Sequence, residues 1–99
     1  MTRQDYNKII LNDLKRQDFF EKFIPDETSV EVYDILEECM EIYPDQRFGQ
    51  IFTNYIYPDY RSRTEDGLNQ VMDMLFYKCG CDPFYEESSE TVKRLNIEI

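Results

Sequence analysis

The 99-residue sequence contains no histidine and no tryptophan, and only three glycines, four prolines and three cysteines. Each shortage removes a class of explanation. Without histidine there is no Ser-His-Asp or Cys-His nucleophile, no imidazole ligand for zinc and no histidine pH switch. Few glycines and prolines disfavour a turn-rich β-sandwich and favour helices. No apolar run approaches the roughly 18–20 residues of a membrane span. The first eighteen residues lack the apolar stretch of a secretory signal. An odd number of cysteines (Cys39, Cys79, Cys81) in such a chain points to reduced thiols, so the expected location is the cytoplasm.

Basic side chains are also scarce. Eleven Lys and Arg face 21 Asp and Glu, a formal charge of −10, and the pI is about 4.3. Direct binding to a nucleic-acid backbone, which needs clustered cations, is therefore not expected. Hydrophobic residues at 41% and aromatics at 15% are too many for a disordered chain despite the charge. The length allows one domain with one core.

The apolar pattern is helical. Residues 3–24 carry two apolar groups, Tyr6, Ile9, Ile10 and Leu14, then Phe19, Phe20, Phe23 and Ile24. They do not share one stripe, so a break near Gln17-Asp18 is expected, with Asp18 able to cap the second piece. Residues 28–43 open with Thr28 three before Glu31, the capping-box spacing. There Val32, Ile35, Leu36, Cys39, Met40 and Tyr43 follow at helical intervals. Asp45 can cap a helix over 46–57 bearing Phe48, Ile51, Phe52, Tyr55 and Ile56. Residues 58–64 form a polar loop, and Thr64 can cap a helix over 65–79 with Leu68, Val71, Met72, Leu75, Phe76 and Cys79 inward. Gly80 is placed to end it. Asp82-Pro83 reads as cap and first residue of a short helical turn. Ser88 or Ser89 can cap a last helix over 89–96 with Val92 and Leu95 inward, and Ile97–Ile99 is too short for a strand. The expected architecture is an all-α, single-domain bundle of four to five short helices.

The negative charge is localised. Residues 26–46 hold eight acidic and no basic side chains, whereas residues 1–25 hold five basic and four acidic ones. On the helix over 28–43 and its end, Glu31, Asp34, Glu37, Glu38, Glu41 and Asp45 lie beside the apolar stripe at helical spacings. Like charges at i,i+4 cost an isolated helix about 0.2–0.5 kcal/mol per pair, and no Lys on this helix offsets them. The dipole accounts for Glu31 near the N-terminus but not for Glu38 or Glu41. The ridge is either a solvated face that keeps the protein soluble or a docking surface for a basic partner, such as a nuclease groove or a basic toxin. Tyr33, Tyr57, Tyr60 and Tyr85 fall off the stripes or in loops, where they read as interface aromatics or as ordinary half-buried tyrosines.

Recognisable chemistry is sparse. Cys79-Gly80-Cys81 is the one motif-like spacing, but three cysteines fall short of a structural zinc set. Cys39 and Cys79 both read as stripe positions, where a thiol is a small hydrophobe. No metal and no cofactor is expected. There is no Gly-rich phosphate loop, and Arg61 and Arg63 support no more than a local carboxylate contact. Carboxylates are plentiful enough for a small hydrolase, yet none is set apart.

The segment Pro44-Asp45-Gln46-Arg47-Phe48-Gly49-Gln50-Ile51, with the later Asp82-Pro83-Phe84-Tyr85-Glu86-Glu87, resembles a group of small uncharacterised bacterial and phage proteins. Their pattern runs Tyr-Pro-Asp-x-Arg-x-Gly-Gln, then a helix, then Asp-x-Phe-Tyr with acidic residues opening a final helix. The resemblance implies a cytoplasmic protein of bacterial or phage origin and supplies no activity. It singles out Arg47, Gly49, Gln50, Phe84 and Tyr85, for which a structural brace between the two blocks is the simplest role. The sequence is read as a non-enzyme. Its expected function is that of an acidic protein–protein interaction module, in its sharpest form an inhibitor of the phage counter-defence or toxin-immunity type. A housekeeping adaptor and a carboxylate-dependent hydrolase are the alternatives.

Overall fold

The periodicities above become an all-α bundle in the computed structural model, which describes residues 1–98. Ile99, the end of the tail read as too short for a strand, lies outside the described residues. The helices are α1 (Arg3–Arg16), α2 (Asp26–Ile42), α3 (Phe48–Ile51), α4 (Tyr57–Tyr60), α5 (Gly67–Leu75) and α6 (Ser88–Arg94). Among the described residues there is no strand. The N-terminal helix α1 packs against both α2 and α6. Phe20, Phe48, Phe52, Phe76, Leu36 and Met40 fill the middle and are fully buried.

Helix α1 starts with Thr2 and Asp5 in a reciprocal capping box. It ends at Arg16, and the break falls at Gln17-Asp18. Asp18 does not cap the next piece. It adopts a left-handed φ of 50°, and the 3-10 turn Phe20–Lys22 that follows has no side-chain cap. Helix α2 begins two residues before its expected start. Pro25 has φ −57° and its carbonyl accepts the Ser29 N–H at 2.9 Å, so Thr28 lies inside the first turn and the Thr28–Glu31 box does not form. Asp26 and Glu27 occupy that turn, where the dipole favours acids.

The expected helix over 46–57 is displaced and longer. Asp45 is not its cap. The first turn begins at Phe48, with Arg47 at the N-cap donating its N–H to Gln50 Oε1 at 2.8 Å. The chain stays helical through Tyr60, passing through a π-helical stretch, Phe52–Ile56, just before Pro58. A proline lacks an N–H and its ring clashes with the carbonyl four residues back. Widening the preceding turn accommodates both effects without ending the helix.

The next helix starts at Gly67, two residues after its expected start, with Asp66 and not Thr64 at the N-cap; Thr64 still accepts the Leu68 N–H at 3.3 Å while donating to the Tyr60 carbonyl at 3.0 Å. Regular α-helix ends at Leu75, earlier than the expected 79. A 3-10 turn, Tyr77–Cys79, follows, and Gly80 at φ 73° reverses the chain. The early stop rotates Cys79 off the apolar stripe and leaves it exposed, whereas Cys39 is buried as expected. Asp82 Oδ1 accepts the Phe84 N–H at 2.9 Å and sets the Pro83 turn. Helix α6 starts at Ser88, not after a serine cap. The Ser88 hydroxyl is turned into the core, where it serves other residues.

Candidate interaction surface

Glu31, Asp34, Glu37, Glu38, Glu41 and Asp45 are all exposed. The structure brings cations to this ridge that the helix itself lacks. Helix α1 runs alongside, and its Lys8 and Lys15 pair with Glu41 at 2.7 Å and Glu37 at 3.2 Å. Glu31 accepts from Arg63 and from the Tyr60 hydroxyl, both at 3.2 Å. Glu41 holds the Lys8 ammonium above its usual pKa. These side chains remain substantially exposed, so water and salt screen the pairs. Asp34 and Glu38 have no ion-pair partner among the described residues.

Two exposed apolar side chains share this face. Val30 and Ile42 are each 57% exposed, one near either end of α2. On a helical projection Val30 falls beside Asp34 and Glu41, and Ile42 beside Glu31. A recess at the N-terminal end of α2, lined by Asp18, Glu21, Asp26, Val30 and Tyr33, carries the negative surface round toward the α1–α2 turn. Val30, Ile42 and this recess are not among the residues expected from the sequence. The two apolar positions were readable, because both fall outside the buried stripe of α2. The recess was not, because it depends on the left-handed turn at Asp18.

The off-stripe tyrosines separate. Tyr33 and Tyr60 belong to the core, at 7% and 5% exposure. The Tyr33 hydroxyl accepts the Phe20 N–H at 3.2 Å and donates to the Leu14 carbonyl at 3.3 Å, bridging the α1 break. Burial pushes its pKa up to about 12. Tyr57 is half-buried, and Tyr85 is 73% exposed.

Behind the ridge lies a polar brace joining the segments around Arg47 and Glu87. Glu87 takes Arg3 Nε at 2.6 Å and Arg47 Nε at 3.1 Å. The hydrogen bond from Arg3 is the main reason its carboxyl stays below the ordinary range; burial opposes this and Arg47 reinforces it. Ser88 Oγ accepts the Phe48 N–H at 3.1 Å and donates to Asn7 Oδ1, and Asn7 Nδ2 reaches the Gln46 carbonyl at 2.9 Å. Asn7 and Ser88 are fully buried. Gly49 sits directly on the Pro83 backbone, with no room for a Cβ. Thus Arg47, Gly49 and Gln50 act within this junction, while Phe84 and Tyr85 face outward as an edge-to-face pair at 5.7 Å.

A separate, partly buried pair joins α6 to the Pro83 turn. Arg94 donates twice to Glu86, at 2.9 and 2.8 Å. Burial would raise the Glu86 pKa, but hydrogen bonds from Arg94 and Thr91 hold it below the usual value. Glu86 and Glu87 are therefore locked to arginines, while the third carboxylate with a lowered pKa, Asp5, is held by the hydrogen bonds of its Thr2 capping box. A shallow groove between Phe23 and α5 is lined by one carboxylate, Asp73, with Gln70, Met74, Tyr77 and Lys78. Among the described residues no group of three or more Cys, Asp or Glu is placed to hold a metal ion. No helix among them is long and apolar enough to cross a membrane.

Fold and surface together define a small all-α protein with one acidic, partly apolar helix face. No protein-family model, no curated protein and no solved structure matches the chain.

Proposed function

We propose that the protein is a non-catalytic interaction module that docks the outer face of α2 on a basic protein surface. The observation that carries this reading is the pairing of Asp34 and Glu38, which lack a cation, with exposed Val30 and Ile42 on the same face. The two exposed aliphatic side chains add apolar contact area to the acidic face. A docking face uses both kinds: carboxylates steer the encounter and apolar side chains hold the complex. The screened pairs to Lys8, Lys15 and Arg63 can be exchanged for cations of the partner.

In its sharpest form the module is an inhibitor that covers a nucleic-acid-binding groove or a basic toxin, as phage counter-defence and toxin-immunity proteins do. A bacterial or phage origin and a cytoplasmic site of action rest on the resemblance of the Pro44–Ile51 and Asp82–Glu87 blocks. The test begins with affinity capture of the partner from such a host, followed by titration calorimetry with the purified partner. Asp34→Lys/Glu38→Lys is expected to weaken binding at least tenfold, and Val30→Ser/Ile42→Ser to weaken it with less salt dependence. Both variants should retain the helical circular dichroism signal. Unchanged affinity in both would remove α2 as the docking face.

A further inference from the structure

We infer that Cys79 and Cys81 form a dithiol site that a small-molecule disulfide oxidises to an intramolecular bridge, independently of the acidic face.

The geometry starts with Gly80. At φ 73° and ψ 20° it is a single left-handed helical residue, and such a residue brings the Cα atoms of its neighbours to about 5.5 Å, the usual span of a disulfide. The turn is fixed by backbone hydrogen bonds from Gly80 to Tyr77 and from Cys81 to Phe76, both 3.0 Å. Cys81 Sγ is folded back, 3.8 Å from the Cys79 carbonyl oxygen. Cys79 is exposed and Cys81 borders an open recess beside Tyr77 and Asp82, so a reagent can reach both sulfurs.

The second element is Arg94. It is held by its two hydrogen bonds to Glu86 and lies over the Phe76 ring at 5.6 Å. Its buried Nη1 has no hydrogen-bond partner among the described residues. After Glu86, the sulfurs of Cys81 and Cys79 are the groups close enough to favour its charge. Arg94 favours the Cys81 thiolate in turn, but burial first and the Glu86 carboxylate second outweigh it and hold that thiol above its ordinary pKa, so Cys81 acts second, as the thiol that resolves the mixed disulfide.

In the reaction, the Cys79 thiolate attacks one sulfur of the disulfide reagent. That S–S bond breaks and a thiolate leaves, taking a proton from water. Cys81 then gives its proton to solvent and attacks the Cys79 sulfur, expelling the second thiol. The protein loses two protons and two electrons, and one reagent disulfide becomes two thiols. Buried Cys39 takes no part.

The test uses the full chain equilibrated with mixtures of oxidised and reduced glutathione, quenched in acid, alkylated and mapped by mass spectrometry. The expected product lacks two hydrogens, links Cys79 to Cys81 and leaves Cys39 as a thiol. Oxidation of the folded chain should require an oxidised-to-reduced ratio about tenfold lower than oxidation of the same pair in concentrated urea. Cys81→Ser should accumulate a stable glutathione adduct on Cys79. Glutathione adducts or free thiols at both positions across the whole series, disulfides only between chains, or equal behaviour in urea would each overturn the proposal.

Discussion

Gly49→Ala is the substitution for which the structure makes the strongest demand. A Cβ on Gly49 would lie 1.7 Å from the Pro83 carbonyl oxygen, 2.5 Å from its carbon and 2.9 Å from its Cα. All three are backbone atoms, so no side-chain rotation relieves the contact. Even the 3.0 Å floor for real Cβ contacts requires the two segments to part by 1.3 Å, the difference between 3.0 and 1.7 Å. The Phe48 N–H to Ser88 Oγ bond, now 3.1 Å, sits in the same junction. Separation on that scale breaks it and orphans a buried donor. Overpacking costs about 1–3 kcal/mol and the orphaned donor about 1–3 kcal/mol more, so a loss of about 3 kcal/mol is expected. That is a large share of a domain's stability of about 5–15 kcal/mol.

The assay is urea unfolding followed by circular dichroism. With a slope near 1 kcal/mol/M for a small domain, the midpoint should fall by about 2–3 M. Gly80→Ala is the internal comparison. Nothing lies within 4 Å of its Cβ position, and only the positive φ opposes the change, so a cost of about 1 kcal/mol is expected. Pro83→Ala should not rescue Gly49→Ala, because the clashing atom is a carbonyl oxygen that alanine also carries. A Gly49→Ala variant within about 0.5 kcal/mol of wild type would refute the close approach.

Ser88→Ala removes the acceptor of the Phe48 N–H and the donor to Asn7, all buried, and should cost about 2–4 kcal/mol in the same assay. Glu86 and Glu87 have folded pKa values below their ordinary 4.5. Their stabilisation is therefore full above about 4.5 and is lost as the pH falls through the lower folded values; the acid limb of a stability–pH curve should be shallower in Glu86→Gln. Tyr33 behaves in the opposite sense. Its folded pKa of about 12 exceeds the ordinary 10.0, so its contribution is full below pH 10 and is lost between about 10 and 12. Tyr33→Phe should lose about 1–3 kcal/mol at neutral pH, through the Phe20 and Leu14 backbone groups it leaves unpaired, and show a smaller alkaline decline. Asp34→Lys/Glu38→Lys, by contrast, should be neutral or stabilising by up to about 0.5 kcal/mol, since it relieves like-charge pairs on α2; a marked loss in urea unfolding would make these carboxylates structural.

Helical periodicity was the legible part. Val32, Leu36, Cys39 and Met40 on α2 and Leu68, Val71, Met72 and Leu75 on α5 are buried as their spacing requires. Helix ends were less legible, because caps here are decided by neighbours distant in sequence. Ser88 is a good N-cap in isolation, yet its hydroxyl is committed to Asn7 and Phe48, which the chain brings to it from 81 and 40 residues away. Asp45 is equally good, yet Gln50 does the work one turn on. Residues 58–64 read as a loop, whereas the helix runs on through Tyr60, because a widened turn that carries a helix past a proline is invisible to spacing rules. Cys79 was placed inside because a stripe extrapolated from Leu75 does not reveal where a helix gives way to a tighter turn.

The acidic ridge shows the same limit from the side of function. The absence of any cation between residues 26 and 46 was plain in the sequence, but the compensation supplied by Lys8, Lys15 and Arg63 was not. That compensation is selective. It reaches Glu41, Glu37 and Glu31 at the flanks and stops short of Asp34 and Glu38 between them. A ridge shaped only for solubility would gain by neutralising its middle, where like charges lie about 5–6 Å apart on either side. The fold instead pairs its cations with Glu31, Glu37 and Glu41 and leaves Asp34 and Glu38, in the middle of the helix, without an ion pair among the described residues. There a basic partner would meet bare carboxylates with an aliphatic contact toward each end.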